Sequence, residues 1–325
     1  MPDFGLFYKE WRQNKALLTT IFVAFMINNP FTVLSKYNSY RGCAAQQSEW
    51  GGTCLFTIDY FHGTFISLFW IWGVVLAVSQ IGIERSKGLS EFTLSLPYTR
   101  GQVFNAKFII GGMVIVVPQL IGYVLSVLLL VLLKPDQVFY FHYYSLGMII
   151  VSMLAYSLVM AGGALTGHIF AQLLVSFTVV ISPFLVITLP AISMDILFGG
   201  RLAFLDFPIP EWMMYVFPIT YVVPNWVGHS PYYLVIPTVM NIMFYIIGYI
   251  SFTKMSNERN GSFFLWKALD LPVQVIVIIF GILGFGCFGY AASGGIGGYL
   301  FGMAAGAVIG FLISYFAIYK KTKHL

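Results

Sequence analysis

The sequence predicts an all-α membrane protein that crosses the bilayer several times. Its 325 residues are 59% hydrophobic and only 9% charged, and the mean hydropathy is +0.84. The apolar residues are gathered in runs of about 20, the length that an α-helix needs to cross the hydrocarbon core of a bilayer. Because a water-soluble domain does not carry so much apolar sequence, we expect one polytopic transmembrane domain over residues 1–325, with about eight spanning helices.

Eight long apolar runs define the predicted spans and their order. They are residues 16–34, 63–83, 104–133, 143–163, 169–190, 232–252, 271–291 and 295–319. Residues 1–15 predict an elbow helix at the membrane surface, because Phe7 and Trp11 recur at helical spacing with charged residues mostly on the other side. The last two runs are separated by a short turn and predict a C-terminal two-helix hairpin over residues 271–319.

The first span contains residues that a lipid-facing helix tolerates poorly. Asn28, Asn29 and Pro30 interrupt it, so we expect the asparagines to face protein or a cavity. The span is expected to end near residue 34 and to lead into a polar external loop over residues 35–62.

Residues 191–230 predict an element that does not cross the membrane. The segment is rich in proline, and its apolar part, residues 212–227, is too short and too often broken by proline to span comfortably as a helix. We interpret residues 191–230 as an external or re-entrant element between spans 5 and 6.

The distribution of Lys and Arg predicts the orientation. With an inner N-terminus and an even number of spans, 13 of the 17 basic residues lie on the cytosolic side, and the other four are Lys36, Arg41, Lys134 and Arg201. We therefore expect both termini in the cytosol. The net charge of +5 follows this topology and does not indicate a nucleic-acid partner.

A polar segment over residues 84–107 separates the second and third spans. Read as a helix, it places Leu89, Phe92 and Leu96 near one face, with Glu84, Arg85, Lys87 and Glu91 largely off that face. This pattern predicts an amphipathic helix at the membrane surface. Pro97 should end that helix, and Thr99 is then placed as the N-cap of the third span.

The spacing E-R-x-x-G-x-x-E-x-x-L-x-L-P-x-T-R, followed by Lys107, resembles the loop after the second span in bacterial ABC transporter permeases of the ABC-2 type. The resemblance implies that residues 84–100 form a coupling helix. Its expected coupling residues are Glu84, Arg85, Gly88, Leu89, Glu91, Phe92, Leu94, Leu96, Pro97 and Arg100. Leu89 departs from the family pattern, in which Thr is common. The alternative is an ordinary cytosolic loop whose amphipathic character only anchors it to lipid.

The same resemblance implies the function and the partners. The length, the span plan and the segment from Glu258 to Asp270 look most like the permease subunits of the Ytr (acetoin-operon) transporter. The chain would then be a permease subunit in the bacterial plasma membrane that exports a substrate, in contact with membrane lipids. Separate cytosolic ATP-binding subunits would bind ATP and Mg, and a second permease subunit, identical or related, would complete a dimer lined by spans 2 and 5. Residues expected along the translocation path are Phe69, Trp70, Gln172 and Phe177.

The sequence lacks the motifs of an enzyme. It has no G-x-x-x-x-G-K-[ST] phosphate loop, no H-E-x-x-H or C-x-x-C pattern, and five scattered histidines, so we expect no catalytic site, metal or cofactor in this chain. No predicted span has an ionisable residue near its middle, which argues against ion-coupled transport. The alternatives to an ABC permease are a passive channel, scramblase or secondary carrier, and a membrane sensor or assembly partner that transports nothing.

Two further patterns concern the packing of the chain. Glycines recur at four-residue steps at Gly294, Gly298, Gly302, Gly306 and Gly310, a spacing that lets two helices approach closely. We favour packing within the chain, against span 7 with its Gly281, Gly284 and Gly289, over a subunit interface. Cys43 and Cys54 share one external loop and predict a disulfide, with two free thiols as the alternative, while Cys287 lies alone in span 7.

Overall fold

The computed structural model describes residues 4–50, 54–59, 69–198, 211–221, 232–255 and 261–319. Within these ranges the chain is mostly helical, and seven helices are long and apolar enough to cross a membrane. The prediction of a polytopic helical membrane protein is therefore confirmed. The helices are α1 (Phe4–Gln13), α2 (Lys15–Trp50), α3 (Trp70–Ala77), α4 (Glu84–Ser86), α5 (Leu89–Ser95), α6 (Arg100–Leu133), α7 (Phe141–Leu165), α8 (Ile169–Leu197), α9 (Glu211–Met214), α10 (Tyr232–Lys254), α11 (Asp270–Ser293) and α12 (Ile296–Ile318).

The predicted second span is only partly described. A π-helix over Val78–Ile83 joins α3 to α4, so that residues 70–86 form one continuous helical run. Residues 60–68, which include most of the N-terminal part of this predicted span, lie outside the described ranges. The total of eight spans stays a prediction for that reason.

The first spanning helix is longer than predicted. α2 continues to Trp50, so the expectation of a polar loop from residue 35 is wrong over residues 35–50. A helix of 36 residues is about 54 Å long, well beyond the 30 Å or so of a hydrocarbon core. The polar residues past the span remain helical because leaving lipid changes the solvent around the side chains without removing the intrahelical hydrogen bonds.

The polar residues of α2 face protein, as expected. Asn28 and Asn29 are buried, and the Asn28 side-chain amide donates to the Met148 sulfur of α7 at 3.6 Å. Pro30 lies inside α2 without ending it.

The bundle is organised around α7, which is the most buried of the spanning helices. α7 packs against α3, α6, α8 and α10, and α2 packs along α6. Tyr156, Met160 and Ala164 of α7 lie in the main hydrophobic core, together with Phe104 of α6 and Leu76 of α3.

The end of the bundle opposite α5 carries a small cap. Strand β1 (Thr57–Asp59) pairs in parallel with β2 (Gln137–Phe139), and Asp136 accepts a hydrogen bond from the backbone N–H of Phe56 at 2.8 Å. Cys43 at the end of α2 and Cys54 before β1 form a disulfide, with Cα atoms 6.0 Å apart. The chain after α2 is thereby tied back to the helix.

The described part of the segment between spans 5 and 6 packs against the bundle. α8 extends to Leu197, past the predicted end of span 5, and the short helix α9 and a 3₁₀ turn at Pro218–Tyr221 follow in residues 211–221. Phe217 contacts Phe184 of α8 and Tyr221 contacts Tyr233 of α10, with ring centroids 6.0 and 5.7 Å apart. Residues 199–210 and 222–231 lie outside the described ranges, so the re-entrant path of residues 191–230 stays a prediction.

The C-terminal hairpin is held by glycines on both of its helices. A Cβ at Gly306 would come within 2.7 Å of the Gly281 carbonyl carbon, and one at Gly289 within 3.1 Å of the Gly298 carbonyl carbon. α12 therefore lies in backbone contact with α11. On the remaining predicted stripe positions, Gly302 lies against Phe285 and Gly310 against Ile278.

Two details of the predicted stripe are wrong. Gly294 is the left-handed C-cap of α11, with φ of 69°, and does not belong to α12, because the chain must turn between the two helices. At Gly284, no described atom lies within 4 Å of the place that a Cβ would take, and Gly286 makes the contact instead, against Tyr299 and Met303.

Candidate functional site

The surface segment after span 2 is two helices rather than one. α4 ends the helical run of span 2, the chain turns at Lys87 and Gly88, and α5 begins at Leu89. Gly88 has φ of 70°, a left-handed conformation that glycine adopts without the steric cost of a Cβ. The prediction of one amphipathic helix from Glu84 is therefore wrong, and Glu84 and Arg85 belong to the end of span 2.

α5 exposes two apolar side chains while other side chains of the same helix fasten it to the bundle. The Leu89 and Phe92 side chains are 39% and 63% exposed, whereas Thr93 is buried and Leu94 packs against the main core. Leu96 is half-buried and follows the helix in an extended conformation. The Glu91 side chain lies outside what the structure describes.

The chain then turns into α6 through a well-formed cap. Pro97 is exposed, and Thr99 is the N-cap residue: its side chain accepts from the Gln102 N–H, and the Gln102 side chain accepts from the Thr99 N–H at 2.8 Å. The prediction that Thr99 caps the third span is confirmed. Arg100, in the first turn, donates a hydrogen bond to the Met255 carbonyl after α10.

A buried ionic node lies directly behind α5. We use this name for Lys9 and Glu10 of α1, Glu84 of α4, Thr93 of α5 and Lys107 of α6. Lys107 Nζ lies 2.8 Å from Glu10 Oε2 and also donates to Glu84 Oε2, and all three side chains are at most 3% exposed. Lys9 Nζ lies 3.6 Å from Glu10 and 3.8 Å from Glu84. Two carboxylates and two ammonium groups therefore balance in charge.

Thr93 connects α5 to this node. Its hydroxyl donates to Glu84 Oε1 at 2.8 Å, with the Leu89 carbonyl oxygen of its own helix as a competing acceptor at 2.9 Å, and it accepts a hydrogen bond from Lys9 Nζ. Burial disfavours a charged carboxylate, but the ion pair with Lys107 and the hydrogen bonds from Lys107 and Thr93 stabilise the Glu84 anion. Glu84 is an anion at neutral pH, as the arrangement requires.

A second polar layer supports the node from the bundle side. The Tyr156 hydroxyl lies 2.7 Å from Gln80 Oε1 and 3.0 Å from the Lys107 carbonyl oxygen. Gly111 makes room for this ring, since a Cβ there would come within 2.8 Å of Tyr156 Cε2. Next to the node, a cavity of about 20 Å³ lined by polar and apolar side chains is large enough for one water molecule.

Arg85 ties the end of span 2 to the other side of the bundle. Its guanidinium donates to the Gly163 carbonyl at 2.8 Å and to the Thr166 carbonyl, at the C-terminal end of α7, where a cation is favourable. The Arg85 guanidinium is a cation at neutral pH, because arginine is not deprotonated in proteins. Thr166 also forms a β-bridge with Phe264, which joins the turn after α7 to the segment before α11.

An apolar cavity of about 660 Å³ lies between α3, α7, α8 and the turn at Pro218–Tyr221. Trp70 and Phe177, two of the four residues predicted for the translocation path, line it. Gln172 does not: it is buried, and its side chain donates to the Val159 carbonyl at 3.1 Å. Phe69 packs against Phe25 with ring centroids 6.2 Å apart.

Sequence reasoning missed the roles of Glu10, Thr93 and Tyr156. Lys107 follows the coupling-loop motif of residues 84–100, yet nothing in a local pattern pairs it with Glu10, which lies 97 residues away. One signal was available. A Lys seven residues into a long apolar helix needs a buried anion, and the nearby charged segments offered few candidates.

Several spanning helices around an apolar cavity, with a short helix fastened at one end, are the features of a membrane permease subunit. Over its whole length the chain is 69% identical to the probable ABC transporter permease YtrD of Bacillus subtilis (strain 168), and it covers all of that protein. It is 47% identical over 330 aligned residues to the probable ABC transporter permease YtrC of the same organism, with 99% of this chain and all of YtrC covered. The chain therefore belongs to the family of ABC transporter permeases. No family model matches it.

Proposed function

We propose that the chain is the transmembrane subunit of an ABC-2 type exporter in the bacterial plasma membrane, with both termini in the cytosol. In this proposal α5 is the coupling helix against which separate cytosolic ATP-binding subunits dock. Those subunits bind ATP and Mg and carry out the hydrolysis, and this chain supplies no catalytic group. A second permease subunit, identical or related, forms the other half of the translocation path.

The observation that carries the proposal is that some side chains of α5 are exposed while others hold it to the bundle. Phe92 and Leu89 are exposed, whereas Thr93 and Leu94 fasten the helix to the bundle. An isolated helix of seven residues has little stability in water, so its position depends on these contacts. A short helix held firmly with an apolar side chain outward is suited to receive a protein partner that pushes on it.

The apolar cavity supports a substrate with a large apolar part. Its lining includes Trp70, Phe177 and Tyr221, and the side chains around it are nearly all apolar. We propose that an amphipathic or lipid-linked substrate passes along this side of the bundle. The export direction rests on the resemblance of residues 84–100 to the coupling loop of the ABC-2 family.

The docking proposal is tested by co-expressing the chain with an ABC-type ATP-binding subunit from the same organism. Phe92→Asp places a charge at an exposed apolar position, and Glu91→Lys reverses a charge on the same helix. Loss of one such interface contact is worth about 2–5 kcal/mol, so we expect less co-purified ATP-binding subunit and lower ATPase activity.

Lys36→Glu is the control. It reverses a charge in the second half of α2, away from α1, and should change neither quantity. Wild-type amounts of ATP-binding subunit with both α5 variants would show that α5 is not the docking helix. Binding of α5 to lipid alone would then be the better interpretation.

A further inference from the structure

We propose that the ionic node is a mechanical connection, in which Thr93 is the positioning residue that makes α1, α5 and the cytosolic ends of spans 2 and 3 move as one body. The inference rests on the proposed docking of an ATP-binding subunit on α5. It goes further by naming the side chains through which a displacement of α5 reaches the spanning helices.

The contacts run without a break from the surface helix into two spans. Thr93 of α5 hydrogen-bonds Glu84 at the end of span 2, Glu84 binds Lys107 in α6, and Lys107 binds Glu10 in α1. Lys9 closes the chain of contacts by donating to Thr93 from α1. Four separate elements of the fold thus meet at one cluster of side chains.

Burial makes these contacts hard to stretch. Glu10, Glu84, Thr93 and Lys107 are each at most 3% exposed, so bulk water cannot solvate a broken contact without a rearrangement of the protein, and the cavity beside the node has room for one water molecule. An unpaired charge in such surroundings is strongly destabilising, whereas moving all of the partners together leaves every contact intact. A force on α5 is therefore transmitted to α4, α6 and α1 rather than dissipated by sliding of α5 over the bundle.

A substitution at Thr93 can remove the link between α5 and the node while the ion pairs of the node keep their partners. Among the described residues, its hydroxyl makes the side-chain hydrogen bonds that join α5 to the node, while the ion pairs themselves lie on other elements. Thr93→Val keeps the shape and removes the hydroxyl. Thr93→Ser keeps the hydroxyl and is the rescue variant. Thr32→Val is the matched control, because Thr32 is also buried but its hydroxyl, within the described ranges, binds the Asn28 carbonyl of its own helix and no other element.

The experiment uses the complete complex with its ATP-binding subunit. Phe177→Cys, in a background with Cys287→Ser, places a single reactive thiol at the apolar cavity, and its maleimide labelling rate is measured with and without ATP and Mg. We expect ATP to change this rate in the wild-type background and in the Thr93→Ser and Thr32→Val backgrounds. In Thr93→Val the ATP-dependent change should be largely lost, while co-purification of the ATP-binding subunit stays near wild type. The melting temperature should fall, because Glu84 Oε1 loses a buried hydrogen bond.

The outcomes separate the two proposals. If the ATP-binding subunit fails to co-purify with the wild-type chain, the docking proposal is wrong and the node has no displacement to transmit. If the complex assembles but Thr93→Val responds to ATP like wild type, or if the wild-type complex does not respond at all, the mechanical connection is refuted while docking stands. Should Thr93→Val not fold, Lys9→Met removes the other hydrogen bond to Thr93 from a side chain that is a quarter exposed, and should reduce the response in the same direction.

Discussion

The contact between the two C-terminal helices allows a sharp test at Gly302. A Cβ at this position would lie 2.9 Å from the Phe285 carbonyl carbon of α11 and closer still to its oxygen. Carbon atoms in favourable contact are about 3.5–4.0 Å apart, so Gly302→Ala forces the helices apart by about 1 Å. The obstruction is backbone, which cannot rotate away as a flexible side chain would.

We expect Gly302→Ala to destabilise the packing of α11 on α12 by about 1–3 kcal/mol, as overpacking of a close contact does. Gly297→Ala is the matched control on the same helix, because no described atom lies within 4 Å of a Cβ there. Alanine has the higher intrinsic helix propensity, so the control should be neutral or slightly stabilising.

The assay combines melting of the purified protein in detergent with the reactivity of the Cys287 thiol. Cys287 lies in α11, and its sulfur is 3.7 Å from the Ser193 hydroxyl of α8. A hairpin that loosens should expose this thiol, so Gly302→Ala is expected to speed maleimide labelling as well as to lower the melting temperature. Equal melting and equal labelling of the Gly302 and Gly297 variants would refute the close contact and place the glycine stripe toward lipid.

Two other predictions concern the ends of the bundle. Mass mapping of the protein without reduction should recover the peptides of Cys43 and Cys54 linked to each other, and alkylation of both thiols without reduction would contradict the disulfide. At the N-cap of α8, His168 Nδ1 accepts from the Ala171 N–H at 3.1 Å, which requires the neutral ring, and burial lowers the pKa of His168 below 6.5. The folded state therefore binds fewer protons than the unfolded state, so stability is full above about pH 6.5 and falls as the pH drops below it. His168→Asn replaces this residue with a cap that does not titrate. The melting temperature of the variant should change less between about pH 7.5 and 5.5, and an unchanged pH dependence would exclude His168 as its cause.

Local patterns predicted the parts of the fold that local forces decide. Thr99 is recognisable as a cap from the sequence because a Thr after a proline and ahead of an apolar run can satisfy a free N–H group of a helix start, whereas the part of Gln102 in the capping box emerges from the structure. The four-residue glycine period on α12 likewise indicated a close helix contact, since only one helix face carries it.

The ionic node was beyond such patterns because its partners are distant in sequence. Periodicity divides polar from apolar positions, but it does not distinguish a charge that meets water from one that meets a buried counter-charge. Periodicity therefore predicts a surface helix for Glu84 and Arg85, although their partners are Lys107 in α6 and the carbonyls at the end of α7. The end of α2 differs from the prediction for a related reason, because polar composition favours a loop, whereas here it marks only the departure of the helix from the apolar core.

The π-helical segment at Val78–Ile83 has a consequence for protein engineering. A π-turn bonds residues five apart rather than four and so holds one more residue than an α-helical turn, which corresponds to about 100° of rotation. In a chimera that exchanges this span with that of a related permease, the number of residues between Trp70 and Glu84 must therefore be kept. A donor segment one residue shorter, however apolar, would turn the Glu84 carboxylate away from Lys107 and the Arg85 guanidinium away from α7.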